Sequence, residues 1–216
     1  MGDGHLDVWE AMATARAIRR YTDEPVDDET LWRCLRAATW APSGGNWQSW
    51  RFVVLRSPDA RAAVAEAAAI SLRVIEPLYS MARPDPDDHS RVARSHRATY
   101  ELHDRAGEHT SVLFTTKRYD SASELLLGGS VYPAMQNFLL AARALGLGAC
   151  PTSWASYGEE LIRTAVGVPD DWLLAGHVVV GWPRGRHGPL RRRPVEEVTY
   201  LDRWGSPAEG APPPSA

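Results

Sequence analysis

Four short stretches of this 216-residue sequence carry groups able to grip a ligand. The first is Trp40-Ala41-Pro42-Ser43-Gly44-Gly45-Asn46-Trp47-Gln48-Ser49-Trp50. Ser43 offers a hydroxyl, Asn46 and Gln48 offer amides, and Gly44-Gly45 lets a partner lie close to the backbone. Such a loop suits a planar ligand rich in heteroatoms, whose edge takes the donors and acceptors. The second is Arg16-Ala17-Ile18-Arg19-Arg20-Tyr21. Its arginines can surround one anion, because a planar guanidinium donates two hydrogen bonds to phosphate at once. The third, Gly146-Leu147-Gly148-Ala149-Cys150-Pro151-Thr152-Ser153-Trp154, leaves backbone N–H groups free to point at a ligand. The fourth is a second basic cluster, Arg191-Arg192-Arg193-Pro194. Each has a plainer explanation when taken alone. The loops serve as connectors. The arginines form a solvated turn answered by Asp23 and Glu24, or a basic surface patch.

Regular elements must position these stretches. Leu31, Cys34, Leu35 and Ala38 recur at helical spacing, with Asp27 as N-cap and Asp28 and Glu29 in the first turn. That helix should stop at Ala41, because the residue before Pro42 is pushed out of the α region. Phe52–Leu55 reads as a buried strand. Asp7–Ala15 reads as a short helix with Val8, Met12 and Ala15 on one side, and an alanine-rich helix runs from Ser57 or Pro58 to about Ala69. Pro84–Asp88 breaks the chain before a polar helix, and Ser111–Thr116 reads as a strand. The clearest helix is Ser130–Leu145, with Ser130 as cap, Pro133 in its first turn and Gly146 at its end. It is apolar nearly all round, which implies burial on several sides, in a core or at a subunit interface. Glu159–Val166, closed by Gly167, is a further helix, and Leu173–Val180 a buried strand.

Composition narrows the function classes. Hydrophobic residues at 44%, charged residues at 24% and a net charge of −3 fit a soluble globular protein. That charge suggests neither nucleic acid nor a membrane as partner. The N-terminal stretch lacks the apolar run of a secretory signal, and no apolar stretch reads as long enough to span a bilayer. Cys34 and Cys150 are expected to be reduced thiols in a cytoplasmic protein. His89, His96 and His103 recur every seven residues, with His109 six further on. Seven residues along a helix is about 10 Å, too far for two imidazoles to share one ion, so no metal site is expected. There is no Gly-x-Ser-x-Gly elbow, Walker lysine or His-Glu-x-x-His for hydrolytic chemistry. One domain over residues 1–205 is expected, followed by a disordered Pro/Ala-rich tail over 206–216.

The ordered combination resembles the nitroreductase family of flavin mononucleotide (FMN) enzymes over about residues 10 to 205. Ala41-Pro42-Ser43-Gly44-Gly45-Asn46, followed by Gln48 and Trp50, is similar to that family's flavin-contacting loop, with Ser49 where proline is common. The resemblance implies flavin contacts from Pro42, Ser43, Gly44, Asn46 and Gln48. It implies that Arg16 faces phosphate and ribityl oxygens, that Ala17 contributes a backbone contact, and that Arg19 faces the N1–C2 carbonyl edge. Ala15 and Ala17 depart from the basic residue and serine common there. Ala144-Leu145-Gly146-Leu147-Gly148 matches the family's helix exit, so Pro151, Thr152 and Ser153 should pack on the ring, Ser153 donating near N5. Arg191 and Arg193 match a Lys/Arg-x-Arg phosphate pair, with Arg192 as the neighbouring register. No residue is transferred for 70–124.

The implied fold is α+β, a mixed, mostly antiparallel sheet surrounded by helices. The implied assembly is a homodimer with flavin at the subunit interface and a C-terminal strand crossing to the partner. The implied activity is reduction of nitroaromatics, quinones or a similar electron-poor acceptor, with NADH or NADPH as donor and ping-pong turnover. Two other readings stay open. One is a specialised flavin enzyme of the same fold, for dehalogenation, azoline oxidation or flavin destruction. The other is a non-catalytic flavin-binding or storage protein.

Overall fold

A computed structural model describes residues 6–120 and 122–206. The expected disordered tail lies almost wholly outside these residues. Seven helices and four strands follow in the order α1 (Val8–Thr14), α2 (Asp28–Thr39), β1 (Trp50–Leu55), α3 (Pro58–Leu78), α4 (Arg91–Asp104), β2 (Thr110–Lys117), α5 (Glu124–Ala144), β3 (Gly148–Thr152), α6 (Trp154–Tyr157), α7 (Glu159–Val166) and β4 (Trp172–Gly181). The sheet order is β1-β2-β4-β3 and every neighbouring pair is antiparallel.

The sheet separates two cores. On one face α2 and α5 cover Val112, Phe114, Val178 and Val180, with Leu31, Leu35, Val131 and Phe138 interdigitating. On the other, α3, α6 and α7 cover Leu55, Leu113 and Val179, with Val64, Ala67, Trp154 and Ile162. β2 is therefore buried on both sides. Its Ser111, Thr115 and Thr116 are buried too, and the Thr115 hydroxyl donates to the Arg51 carbonyl at 3.0 Å. The Thr116 hydroxyl is buried without a partner, so the backbone bond of Thr115 offsets only part of what burying this polar strand costs.

Local chemistry explains the helix boundaries. Asp27 caps α2 through Thr30 N–H at 2.8 Å, and Asp7 caps α1 through Glu10 N–H at 2.8 Å. α2 ends at Thr39 with Trp40 as its C-cap, short of Ala41. α3 continues to Leu78, well past Ala69, because Ser71 is still buried against the fold. α5 starts at Glu124, capped by Ser123, so Ser130 is an interior residue and Pro133 sits mid-helix. The carbonyl that Pro133 leaves unpaired belongs to Gly129, whose lack of a side chain leaves room around it. On α1 only Ala11 is buried, while Val8 and Met12 are exposed.

α5 also corrects the expectation about membrane-length stretches. Its 21 residues and mean hydropathy of 1.2 meet the length and composition of a spanning helix. Val131, Ala134, Phe138 and Ala142 are nonetheless fully buried against α2 and the sheet, so one face of the helix belongs to the core. Cys34 and Cys150 are free and buried. His96 and His103 lie on α4 while His89 and His109 lie outside it, and among the described residues no three metal-binding side chains cluster.

Candidate functional site

The segment after α1 is built into the edge of the sheet. Ala17 bridges Ala149 of β3 in parallel, and Ile18 N–H donates to the Ala149 carbonyl at 3.0 Å. Tyr21 bridges Pro183, and its hydroxyl donates toward the Ile18 and Val179 carbonyls. Gly148 makes this docking possible, since a Cβ there would come within 2.7 Å of Ile18 Cγ2. The chain after β4 returns alongside: Arg184 N–H donates to the Arg20 carbonyl at 2.9 Å, and Leu190 N–H to the Ala13 carbonyl at 3.0 Å. Backbone pairing thus carries residues 187–192 to the foot of α1, although Leu190 and Ala13 are 177 residues apart in sequence.

A cavity of about 190 Å³ forms where these segments meet. Arg16, Ala17, Arg143, Pro151, His187 and Arg192 are among its walls. Arg143 projects from the last turn of α5, its side chain only 15% exposed, and its Nε donates to the Thr14 hydroxyl at 2.8 Å. Of the three tail arginines, Arg192 lines the cavity, whereas Arg191 and Arg193 are exposed and do not. Arg19 is half-buried and outside it; its charge acts on Tyr21, Cys150 and His103. Three guanidinium groups around so small a space suit one multiply charged anion.

Beyond Pro151, β3 ends in a buried polar array. The Thr152 hydroxyl lies 2.8 Å from His177 Nδ1, and the Ser153 and Ser71 hydroxyls are 3.3 Å apart. His177 is fully buried, and desolvation pushes its proton affinity down to about 3, so the ring is neutral. Trp154 packs against the His177 ring and donates its indole N–H to His103 Nε2 at 3.0 Å. The residues at the strand end are therefore held from behind by a neutral imidazole.

The glycine-rich loop stands apart. Ser43 opens a 3₁₀ turn over Gly44–Asn46, and its hydroxyl accepts from Gln48 N–H at 3.1 Å. Gly44 N–H donates to Ser130 Oγ at 3.3 Å, the use α5 makes of a serine that does not cap it. Gln48 Nε2 donates to Asn46 Oδ1 at 3.2 Å. Asn46 and Gln48 both adopt left-handed backbone, φ 54° and 50°, which costs an L-residue about 1 kcal/mol each. Pro42, Gly44, Asn46 and Gln48 are exposed, and Ser43 is half-buried. A larger cavity of about 480 Å³ lies here, walled by Gly44, Gly45, Trp47, Tyr119, Leu126 and Ser130 among others. Trp47 and Tyr119 meet edge-on, ring centroids 5.2 Å apart. No residue lines both cavities.

The class so defined is an α+β protein with an arginine-lined cavity at the edge of its sheet. The sequence profile of the nitroreductase family matches residues 12–182. An NADH dehydrogenase of Thermus thermophilus is 30% identical over 89% of this chain and 95% of its own. A 5,6-dimethylbenzimidazole synthase of Rhodospirillum rubrum is 29% identical over 88% of this chain and 85% of its own. A Desulfovibrio desulfuricans protein assigned as a nitroreductase, crystallised with FMN, superposes with TM-score 0.65 at 28% identity, covering 92% and 98% of the two chains. This chain belongs to the nitroreductase family.

Arg143 and His187 are cavity residues with no place in the sequence expectations, and Arg192 stood there only as the neighbouring register of Arg191 and Arg193. Arg143 had a signal, the one cation in the most apolar helix. An arginine in a last turn also answers the helix dipole, which hid it.

Proposed function

We propose that the chain is an FMN-dependent NAD(P)H oxidoreductase reducing nitroaromatics, quinones or a similar electron-poor acceptor by ping-pong turnover. The observation that carries this reading is the meeting of Arg16 and Arg192, 176 residues apart, in one cavity beside Pro151. The cavity fits a phosphate: three guanidinium groups face it, and both ring nitrogens of His187 are buried there without hydrogen-bond partners. Bound FMN would supply two-electron exchange between nicotinamide and acceptor. In this reading Arg16 and Arg192 neutralise the phosphate, with Arg143 behind them. Ala17 contributes backbone, and Pro151, Thr152 and Ser153 support the ring, their strand end fixed by His177. Ser43, Gly44, Asn46 and Gln48 present polar edges, and the Trp47–Tyr119 wall takes a flat, apolar acceptor.

The unit is proposed as a homodimer of one domain each, with the loop of one copy completing the site of the other. The two cavities share no wall, which supports that arrangement. So do the exposed tryptophans, Trp9, Trp32, Trp40, Trp47 and Trp204, five of nine. Only a third of α5's apolar window is buried within one chain. The exposed Tyr200, Leu201 and Trp204 suit a tail that crosses to the partner.

The test is an absorption spectrum of the purified protein before and after anaerobic addition of NADH or NADPH. A yellow protein bleached by either donor supports the reading; one that takes up no FMN on titration refutes it. The relative that makes 5,6-dimethylbenzimidazole favours one second reading, a specialised flavin reaction on the same site. Loss of the reduced flavin in air without acceptor turnover distinguishes it.

A further inference from the structure

Among the described residues, His187 is the one buried side chain of the basic cavity left without hydrogen-bond partners. Both of its ring nitrogens are buried, and neither has a partner. Buried polar atoms left unpaired are rare and costly, and they mark places where a missing group belongs. The carbonyls of Thr14 and Leu147 face the ring and favour a proton on it, but neither completes a hydrogen bond. The charged groups around the ring are Arg143 from α5, Arg16 from the segment after α1 and Arg192 from its own segment. Glu10 of α1 lies 3.9 Å from Arg143 Nη2 and is the nearest acid paired to this cluster.

Burial first, then the charges of Arg143 and Arg16, disfavour an imidazolium, and the ring is neutral at neutral pH. A neutral ring can offer one donor and one acceptor. Only a protonated ring can donate from both nitrogens, one toward a backbone carbonyl and one toward an anion. A phosphomonoester dianion brings the negative charge that reverses the balance.

We propose that His187 is a proton-linked ligand of the cofactor's phosphate, so that a phosphomonoester enters this cavity together with a proton taken up by the imidazole. The inference rests on the FMN reading above and assigns to His187 a contact that the arginines alone would not need. No lysine or tyrosine lines the cavity, and arginine stays charged at any working pH. Among the described residues, His187 is therefore the one cavity wall able to titrate near neutrality. The cavity, about 190 Å³, accepts a phosphate and its first carbons but no tricyclic ring, so the effect should follow the phosphate and not the flavin.

The experiment uses flavin-stripped full-length chain titrated with FMN, riboflavin and inorganic phosphate by fluorescence quenching or competition. The range is about pH 7 to about pH 9, where a phosphomonoester is already a dianion. FMN affinity should fall as pH rises, approaching tenfold per unit within the window between the empty-site and bound-site affinities of His187 for its proton. Riboflavin affinity should stay flat, and phosphate should compete better at the lower pH. Calorimetry of FMN binding in two buffers of different ionisation heat should report up to about one proton taken up. His187→Gln should remove both the slope and the uptake, weakening FMN about tenfold at the low end of the range and little at the high end. FMN binding with flat affinity and no proton uptake in the natural chain overturns the inference while leaving the FMN reading standing. A slope that persists in H187Q overturns it as well. Failure of the natural chain to bind FMN at any pH overturns both.

Discussion

Arg192→Ala, set against the double substitution Arg191→Ala/Arg193→Ala, separates the geometry from the family pattern. The pattern of a Lys/Arg-x-Arg pair implies Arg191 and Arg193, while the fold turns Arg192 into the cavity with Arg16. A hydrogen bond to a charged partner contributes about 1.5–3 kcal/mol, and the exposure of Arg192 places it at the low end through solvent screening. Arg192 Nη1 donates to the Arg191 carbonyl at 3.0 Å, a local bond that must open or be shared when an anion arrives. The net loss on Arg192→Ala is therefore about 1–2 kcal/mol, roughly a 5- to 30-fold weaker FMN. Arg191→Ala/Arg193→Ala removes two charges outside the cavity and should weaken FMN about twofold at moderate salt, through the field alone. Fluorescence titration of flavin-stripped protein measures both. Adding Arg16→Ala to Arg192→Ala should abolish measurable retention of FMN through purification. Equal affinity of Arg192→Ala and the natural chain, with the double variant weakened, would refute the cavity assignment and restore the alternate register.

Three further outcomes follow from other parts of the molecule. His177, buried and neutral with its proton affinity down at about 3, holds the native state fully stable above the ordinary value of about 6.5. Below that value the unfolded chain takes the proton first, so stability falls by up to about 1.4 kcal/mol per unit, about 2 kcal/mol by pH 5. Urea midpoints at pH 7 and pH 5 measure it, and His177→Leu should flatten that part of the dependence. At Gly158, a Cβ would lie 2.3 Å from Ala67 Cβ and 2.7 Å from its Cα. Gly158→Ala should therefore push α6 away from α3, cost about 1–3 kcal/mol and lower the melting temperature by several degrees. Sedimentation should give a dimer, and a chain ending at Thr199, lacking exposed Leu201 and Trp204, should dissociate at higher concentration than the full chain.

Periodicity and capping made much of the fold legible. Asp27 and the Leu31-Cys34-Leu35-Ala38 stripe place α2 within two residues, and Gly167, at φ 66°, ends α7 where expected. Where the fold departs from the local pattern, tertiary packing overrides a local signal. Ser130 followed by Pro133 reads as a helix start, yet the leucines before them carry α5 back to Ser123. The serine then does something no periodicity encodes: its hydroxyl accepts from Gly44, tying the glycine-rich loop to the central helix. α3 overran its expected end because burial of Ser71 depends on where α6 lies, which one segment cannot reveal.

The site was legible as residue types but not as an assembly. Arginine clusters at 16–20 and 191–193 are visible in sequence, and so is their suitability for phosphate. What brings them together is backbone pairing through side-chain-independent bonds, Ile18 to Ala149 and Leu190 to Ala13. Those bonds bring the 187–192 segment against the foot of α1, where Arg192 and His187 line the cavity and Arg191 and Arg193 do not. Which of three consecutive arginines enters is thus a matter of tertiary pairing, and the same pairing brings in His187, which no motif named. The register is set where Gly148 admits Ile18 against β3, a contact that a single added methyl group would displace. In the proposed reading, the cradle for the phosphate is thus anchored at a glycine outside the cavity wall. A Gly148→Ala chain that folds should lose FMN affinity along with the Ala17–Ala149 bridge, while its buried Trp154 and Phe138 cores stay intact.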